Sequence, residues 1–125
     1  MLACAPLARK PDTCELLCLD LVKAKRVRHG LPAGDELEVW SQGAKSLADP
    51  TRLAIALSLR DGERACVCDL AWIVGRDEKL VSHHVRQLKL ARLARSERDG
   101  RMIMYELTDR GRALLAALTV GEVPA

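Results

Sequence analysis

Four of the five cysteines form two closely spaced pairs, Cys14 with Cys18 and Cys66 with Cys68. An i, i+4 pair such as the first lies on one face of a helix and can chelate a single ion. Residues i and i+2 inside a helix diverge by about 200°, so the second pair converges only if Cys66 lies at or before the first helical turn. We expect that position to lower the pKa of the thiols, which favours the metal-binding thiolate form.

The chemistry that suits these thiols is the binding of a soft cation. Four convergent thiolates would hold Cd(II) or Zn(II) in a tetrahedron, and three would suit Pb(II), whose lone pair favours lower coordination. The candidate ligands are Cys14, Cys18, Cys66 and Cys68. Cys4 is spare, although it could exchange for another of these thiolates. Buried or incidental cysteines and a structural metal remain alternatives.

The positive charge of the chain is concentrated in one segment. The formal net charge is +3, whereas Arg76 to Arg101 contains eight basic residues against four acidic ones. Such clustering is typical of a nucleic-acid-binding surface.

Hydrophobic periodicity predicts mainly helical structure with one hairpin. The predicted helices are 14–28, 35–48, 51–59, 65–74, 78–90 and a last helix capped by Thr108, and the predicted strands are 93–98 and 101–107. Asp99-Gly100 is a strong hairpin-turn dipeptide. Asp77 is placed to cap helix 78–90, whose inward residues we expect to be Leu80, Val81, Val85 and Leu88.

Helices 65–74 and 78–90, joined by the short turn 75–77, have the spacing of a helix-turn-helix, and the hairpin would be its wing. The second helix of such a unit places its N-terminal residues in the major groove. The predicted DNA-binding residues are Glu78, Lys79, Ser82, His83, Arg86, Arg98 and Arg101.

A length of 125 residues suits one domain. We divide it into a flexible arm at 1–13, a domain at 14–120 and a tail at 121–125. No apolar run approaches the roughly 20 residues that span a bilayer, and Met1–Leu7 is too short for a secretory signal. We therefore expect a cytoplasmic protein with free thiols and no membrane partner. We expect no enzyme, because no Ser/His/Asp set, phosphate loop or paired carboxylates occur.

Several motifs resemble the ArsR/SmtB family of metal-sensing repressors, most closely its CadC-like branch. They are D-T-C-E-L-L-C at 12–18, L-A-D-P-T-R at 47–52, C-V-C-D-L at 66–70, V-S-H-H-V at 81–85, and R-D-G-R at 98–101 followed by Y-E-L at 105–107. The resemblance implies a homodimeric winged helix that binds operator DNA without metal. It also implies that Cd(II), Pb(II) or Zn(II) releases the DNA and derepresses metal-efflux or resistance genes.

The resemblance further implies that Cys66 and Cys68 of one subunit meet Cys14 and Cys18 of the other. Some members carry a second site on the last helix, built from Asp, His, His and Glu. Here Asp109 occupies the first position, but Gly111 replaces the first His, and Glu122 and Ala125 fall near the others. We expect that second site to be absent or crippled.

Two readings besides the metal-responsive repressor remain open. One is a winged-helix repressor in which disulfides among the paired cysteines sense an oxidant. The other is a small thiol protein that carries or buffers metal without binding DNA, which would leave the basic segment unexplained.

Overall fold

The computed structural model describes residues 20–121, which form six helices and a two-stranded hairpin. The elements are α1 (Leu21–Gly30), α2 (Gly34–Ser46), α3 (Pro50–Gly62), α4 (Val67–Val74), α5 (Glu78–Leu90), β1 (Ala94–Asp99), β2 (Met102–Leu107) and α6 (Asp109–Leu118). The chain divides into two compact units between Glu36 and Leu37. The predicted arm at 1–13, Cys14, Cys18 and tail residues 122–125 lie outside the described residues. No helix of residues 20–121 is long and apolar enough to cross a membrane.

Helix α1 begins later than predicted. The side chain of Asp20 accepts a hydrogen bond from the backbone N–H of Val22 at 3.0 Å and caps a helix that starts at Leu21, not at Cys14. Its last turn contains Arg28, whose positive charge suits the helix dipole, and it ends at Gly30, two residues beyond the predicted end. The described helix therefore includes neither Cys14 nor Cys18.

The turn between α4 and α5 is as the sequence predicts. Gly75 ends α4 in the left-handed conformation (φ 67°), which glycine adopts without steric cost. Asp77 then caps α5 by accepting a hydrogen bond from the N–H of Lys79 at 3.0 Å. Because both ends of the turn are fixed by short-range chemistry, the bounds of α5 match the predicted helix 78–90.

The inward face of α5 differs from the prediction at one position. Val81, Val85 and Leu88 are completely buried, but Leu80 is 39% exposed and His84 is buried in its place. The buried stripe therefore follows i, i+3, i+4 and i+7 from Val81, the usual spacing of one helical face. It packs within one core with side chains from α3 and α4, including Ile55, Leu59 and Leu70.

The hairpin also extends toward the start of α4. Ala65 and Tyr105 exchange backbone hydrogen bonds of 3.1 and 2.8 Å, so Ala65 is held extended and α4 begins at Val67 rather than at residue 65. In the hairpin itself, Asp99 pairs with Met102. The two loop residues are therefore Gly100 and Arg101, and the positive φ of Gly100 (66°) fits the first position of a tight hairpin turn.

Helix α6 packs closely against the backbone of the short segment between α5 and β1. Thr108 caps α6 as predicted, accepting a hydrogen bond from the N–H of Gly111 at 3.1 Å and donating one to the carbonyl of Arg92 at 2.8 Å. A Cβ on Gly111 would collide with the carbonyl oxygen of Leu93 and lie 3.3 Å from a methyl of Leu107. Gly111 is therefore required by the close approach of α6.

We predict that Gly111→Ala destabilises the protein by about 3 kcal/mol, because backbone on both sides must move to admit one methyl group. Gly62→Ala is the matched control: a Cβ there meets nothing within 4 Å, so it should change stability by less than about 1 kcal/mol. Urea unfolding followed by circular dichroism measures both, and equal stability of the two variants would contradict the assignment.

Candidate metal centre and nucleic-acid interface

The structure places Cys66 and Cys68 at the start of α4. Cys66 is the N-cap residue, with extended backbone (φ −92°, ψ 171°) and no hydrogen bond from its side chain to the helix. Both cysteines are free thiols; Cys66 is buried and Cys68 is exposed. The Ala65–Tyr105 pairing thus satisfies the condition under which a C-x-C pair can converge, since Cys66 precedes the first helical turn.

The Cys68 thiol contacts two other functional groups. It lies near the Glu78 carboxylate, on the first residue of α5, and near the Cys66 sulfur, and both groups influence its pKa. The negative charge of Glu78 is the main reason that the pKa of Cys68 is raised; some desolvation of the thiol and the neighbouring Cys66 add to it. The expectation that the helix N-terminus would lower the thiol pKa is therefore wrong for Cys68.

The two neighbouring sulfurs of Cys66 and Cys68 suit a thiophilic cation, but two ligands do not complete its coordination shell. Within residues 20–121 there is no group of three or more His, Cys, Asp and Glu side chains arranged to hold a metal ion. The other two predicted ligands, Cys14 and Cys18, lie in the part of the chain that the structure does not describe.

The predicted DNA-binding residues of α5 lie mostly on its exposed side. Glu78, Lys79, His83 and Arg86 are exposed and Ser82 is half-buried. Lys79 and His83 are four residues apart and so share a face of the helix. Glu78 belongs to this exposed N-terminus, but its carboxylate contacts Cys68, a role that sequence reasoning did not find.

All four acidic residues of the basic segment have local partners. Asp77 caps α5 and Glu78 contacts Cys68, while Glu97 and Asp99 lie 3.7 and 3.9 Å from the guanidinium of Arg64, outside the segment. In residues 20–121 no carboxylate lies within 4 Å of Lys79, Arg86, Arg98 or Arg101. Their charge is therefore free to meet a polyanion.

Not every basic side chain of the segment contributes to this surface. Arg95 donates to Glu106 at 2.8 Å across the hairpin, and the Lys89 ammonium donates to the Ser96 hydroxyl at 2.7 Å. Arg98 and Arg101 are exposed beside the hairpin tip. The wing therefore offers two exposed guanidinium groups, and the DNA-binding role of Arg98 and Arg101 stays a prediction.

Sequence reasoning did not find a partly buried polar network that joins His84 of α5 to the start of α3. The Arg52 Nε–H donates to Nδ1 of His84 at 3.1 Å, and His84 Nε2 lies 3.7 Å from Asp49, which caps α3. Burial is the main cause that lowers the pKa of His84, and the charge of Arg52 adds to it. The spacing of His84 from Val81 and Leu88 was the signal that could have revealed its burial.

Two of the four positions of the family's second metal site, Asp109 and Gly111, lie on α6. Asp109 is exposed, but the imidazole position is Gly111, where even a methyl group collides with backbone. Glu122 and Ala125 lie beyond the described residues.

Helices α4 and α5, the glycine turn and the hairpin define a winged helix-turn-helix domain. Its exposed basic surface, the reading surface, is formed by Lys79, His83 and Arg86 of α5 with Arg98 and Arg101 of the wing. Residues 49–96 match the family model described as bacterial regulatory protein, arsR family. The chain belongs to this ArsR/SmtB family of transcriptional regulators, as the motifs indicated.

Known members of the family resemble the chain over most of its length. A Staphylococcus aureus protein named cadmium resistance transcriptional regulatory protein CadC homolog is 33% identical over 78% of this chain and 80% of its own. A Synechocystis protein named transcriptional repressor SmtB homolog is 33% identical over 77% and 72%. Among solved structures, NolR from Sinorhizobium fredii has a TM-score of 0.62 at 30% identity and covers 71% of this chain and 93% of that one.

A solved Mycobacterium bovis domain has the same fold. It is described as a homodimeric winged helix-turn-helix DNA-binding domain of a possible ArsR-family regulator, and its TM-score is 0.67 at 24% identity, over 73% of this chain and 86% of that one. The predicted winged-helix fold is thereby confirmed.

We predict that acid destabilises the domain through His84. Because its pKa is lowered on folding, the unfolded chain binds the proton more readily. The stabilisation by neutral His84 is complete above pH 6.5, the ordinary pKa, and is lost as the pH falls toward the folded value. His84→Asn keeps an acceptor for Arg52 without titrating, so its unfolding free energy should change less between pH 7.5 and 5.5. Parallel urea titrations at the two pH values test this, and equal acid sensitivity would exclude His84 as the cause.

We also predict that Glu78→Gln raises the alkylation rate of Cys68 several-fold near neutral pH. Removing the carboxylate charge lowers the pKa of the thiol and enlarges the thiolate fraction. Peptide mass spectrometry after timed iodoacetamide treatment of the reduced protein measures Cys68 by itself. Glu63→Gln, another exposed glutamate, is the control and should leave the rate unchanged; an unchanged rate in Glu78→Gln would show that the contact has no influence.

Proposed function

We propose that the protein is a cytoplasmic, metal-responsive transcriptional repressor without catalytic activity. Its homodimer binds operator DNA in the metal-free state, and Cd(II) or Pb(II), with Zn(II) as a third candidate, releases it and derepresses metal-efflux or resistance genes. The observation that carries the proposal is the contact between the Cys68 thiol and Glu78, the first residue of the helix that presents the predicted DNA-binding side chains.

The unpaired cations support the DNA-binding role. Lys79 and Arg86 on α5 and Arg98 and Arg101 on the wing are exposed and lack acidic partners within the described residues. Cations of this kind bind phosphates and make affinity depend on salt. His83, on the same exposed side of α5, can hydrogen-bond a base edge or a phosphate.

Exposed apolar side chains on α2, on α6 and just after α6 support the homodimer. Val39 and Trp40 are 50 and 55% exposed, and Leu118 and Val120 are 55 and 78% exposed. Trp40 and Leu114 line a shallow groove between the second half of α2 and α6. A chain this small gains stability from a subunit interface, and burying these side chains in a second copy would supply one.

The metal would be held by Cys66 and Cys68 with Cys14 and Cys18 contributed by the other subunit. A soft divalent cation would supply the positive charge that keeps these sulfurs as thiolates. Cys68 would then have no proton to donate to Glu78, and the carboxylate would face a negative sulfur. Because Glu78 begins α5, this lost contact provides a direct path from the thiols to the reading surface.

Two substitutions separate the two activities. Cys66→Ser should keep operator affinity within about twofold, because Cys66 is buried and is not one of the predicted DNA-binding residues, but the variant should no longer be released by Cd(II). His83→Ala should weaken operator binding about tenfold and keep the ultraviolet thiolate–metal absorption. Operator anisotropy and absorption, recorded together in one Cd(II) titration of the reduced protein, measure both properties.

The outcomes distinguish the alternatives. Release of Cys66→Ser by Cd(II) would contradict the ligand assignment, and full operator affinity of His83→Ala would remove it from the reading surface. Release of the unchanged protein by peroxide but not by Cd(II) would favour the oxidant sensor. Metal absorption without any salt-dependent operator binding would favour a metal-buffering protein.

A further inference from the structure

Helix α1 carries a second concentration of positive charge, far in the sequence from the segment that forms the reading surface. It contains four basic side chains, Lys23, Lys25, Arg26 and Arg28, and no acidic one. Its formal charge therefore exceeds the net charge of +3 of the whole chain. None of its residues is buried. An exposed concentration of one sign of charge attracts a partner of the opposite sign.

Three of these cations have no acidic partner in residues 20–121. Lys23, Lys25 and Arg26 are exposed, and none of the carboxylates in that range lies within 4 Å of them. The acidic residue nearest in the sequence, Asp20, is used to cap the helix. Arg28 is half-buried, so we leave it out of the surface. The charge of the other three cations is open to a polyanion.

The apolar residues of α1 lie on the opposite side of the helix. Leu21, Ala24 and Val27 recur every third residue and so fall within about one third of the circumference, whereas Arg26 is roughly opposite Ala24. The apolar side can therefore pack on protein while the basic side stays open. This apolar side has no aromatic residue and only two large aliphatic ones, which is little for insertion into a lipid surface.

We propose that the basic side of α1, formed by Lys23, Lys25 and Arg26, binds the phosphate backbone of the same DNA duplex that the reading surface contacts. The inference rests on the operator binding of the proposed function. Because α1 belongs to the same chain, its cations meet an already bound duplex at high effective concentration. Phosphate contacts carry no sequence information, so α1 adds affinity and salt sensitivity without changing which sequence is preferred.

The salt dependence of DNA affinity tests this proposal on the reduced, metal-free protein. The probes are a duplex that the unchanged protein selects from a random library and a scrambled version of it. Lys23→Gln with Arg26→Gln removes two cations per subunit and introduces no poor helix former. The slope of log affinity against log salt should become shallower by about 2–4 for a homodimer. Affinity for both duplexes should fall by the same factor, about tenfold or more near 0.1 M salt.

Two matched variants serve as controls. Lys23→Arg with Arg26→Lys keeps both charges and should bind both duplexes like the unchanged protein, which separates the charge from any structural role of the side chains. Lys45→Gln with Arg60→Gln removes the same charge from exposed positions on α2 and α3 and should change the slope by less than about one. An equal loss in this second pair would show that only net charge matters and would overturn the proposal.

The remaining outcomes separate this inference from the proposed function. If the unchanged protein selects no duplex, or binds without salt dependence, both are wrong. If it selects a duplex and the paired glutamine variant of α1 keeps the full slope, only the inference is wrong. A loss confined to the selected duplex would contradict backbone binding. If phosphatidylserine vesicles bind the unchanged protein but not that variant, and its DNA affinity is unaltered, the basic side of α1 binds lipid instead.

Discussion

The left-handed turn at Gly75 brings the thiols at the start of α4 close to α5, the helix that presents the predicted DNA-binding side chains. With φ at 67°, the chain reverses within three residues and α5 starts beside the first turn of α4. This places Glu78 against Cys68, although ten residues separate them in the sequence. A residue with a Cβ would be strained at that φ, and any change in the turn would alter the thiol contact and the angle of the reading helix together.

The arginines at the tip of the wing lack acidic partners because the carboxylates of the hairpin pair with other residues. Arg64, on the connection between α3 and α4, takes up Glu97 and Asp99 from β1 and lies 4.0 Å from Glu106 on β2. These pairs are exposed and contribute little stability. Their larger effect is to keep carboxylates away from Arg98 and Arg101, so that the wing presents cations to a polyanion.

Short-range chemistry made much of the fold predictable, and long-range pairing accounts for most errors. The bounds of α5 followed from Asp77 and the apolar period, and the hairpin followed from Asp99-Gly100. The start of α4 could not be read locally, because it depends on Ala65 pairing with Tyr105, forty residues away. The same holds for the raised pKa of Cys68 and the burial of His84, whose partners Glu78, Arg52 and Asp49 are known only after folding.

The packing of α6 leaves less room for an added ligand side chain at Gly111 than the start of α4 leaves at Cys66. At Gly111 the helix lies against the backbone of Leu93 without space for a methyl group, so an imidazole there would force α6 away from the core. At the start of α4 the backbone is extended and Cys66 makes no capping hydrogen bond, so its sulfur can turn toward a ligand without loss to the helix. Under the proposed function, an ion bound at that end would act on the first residue of α5 through the proximity of Cys68 to Glu78.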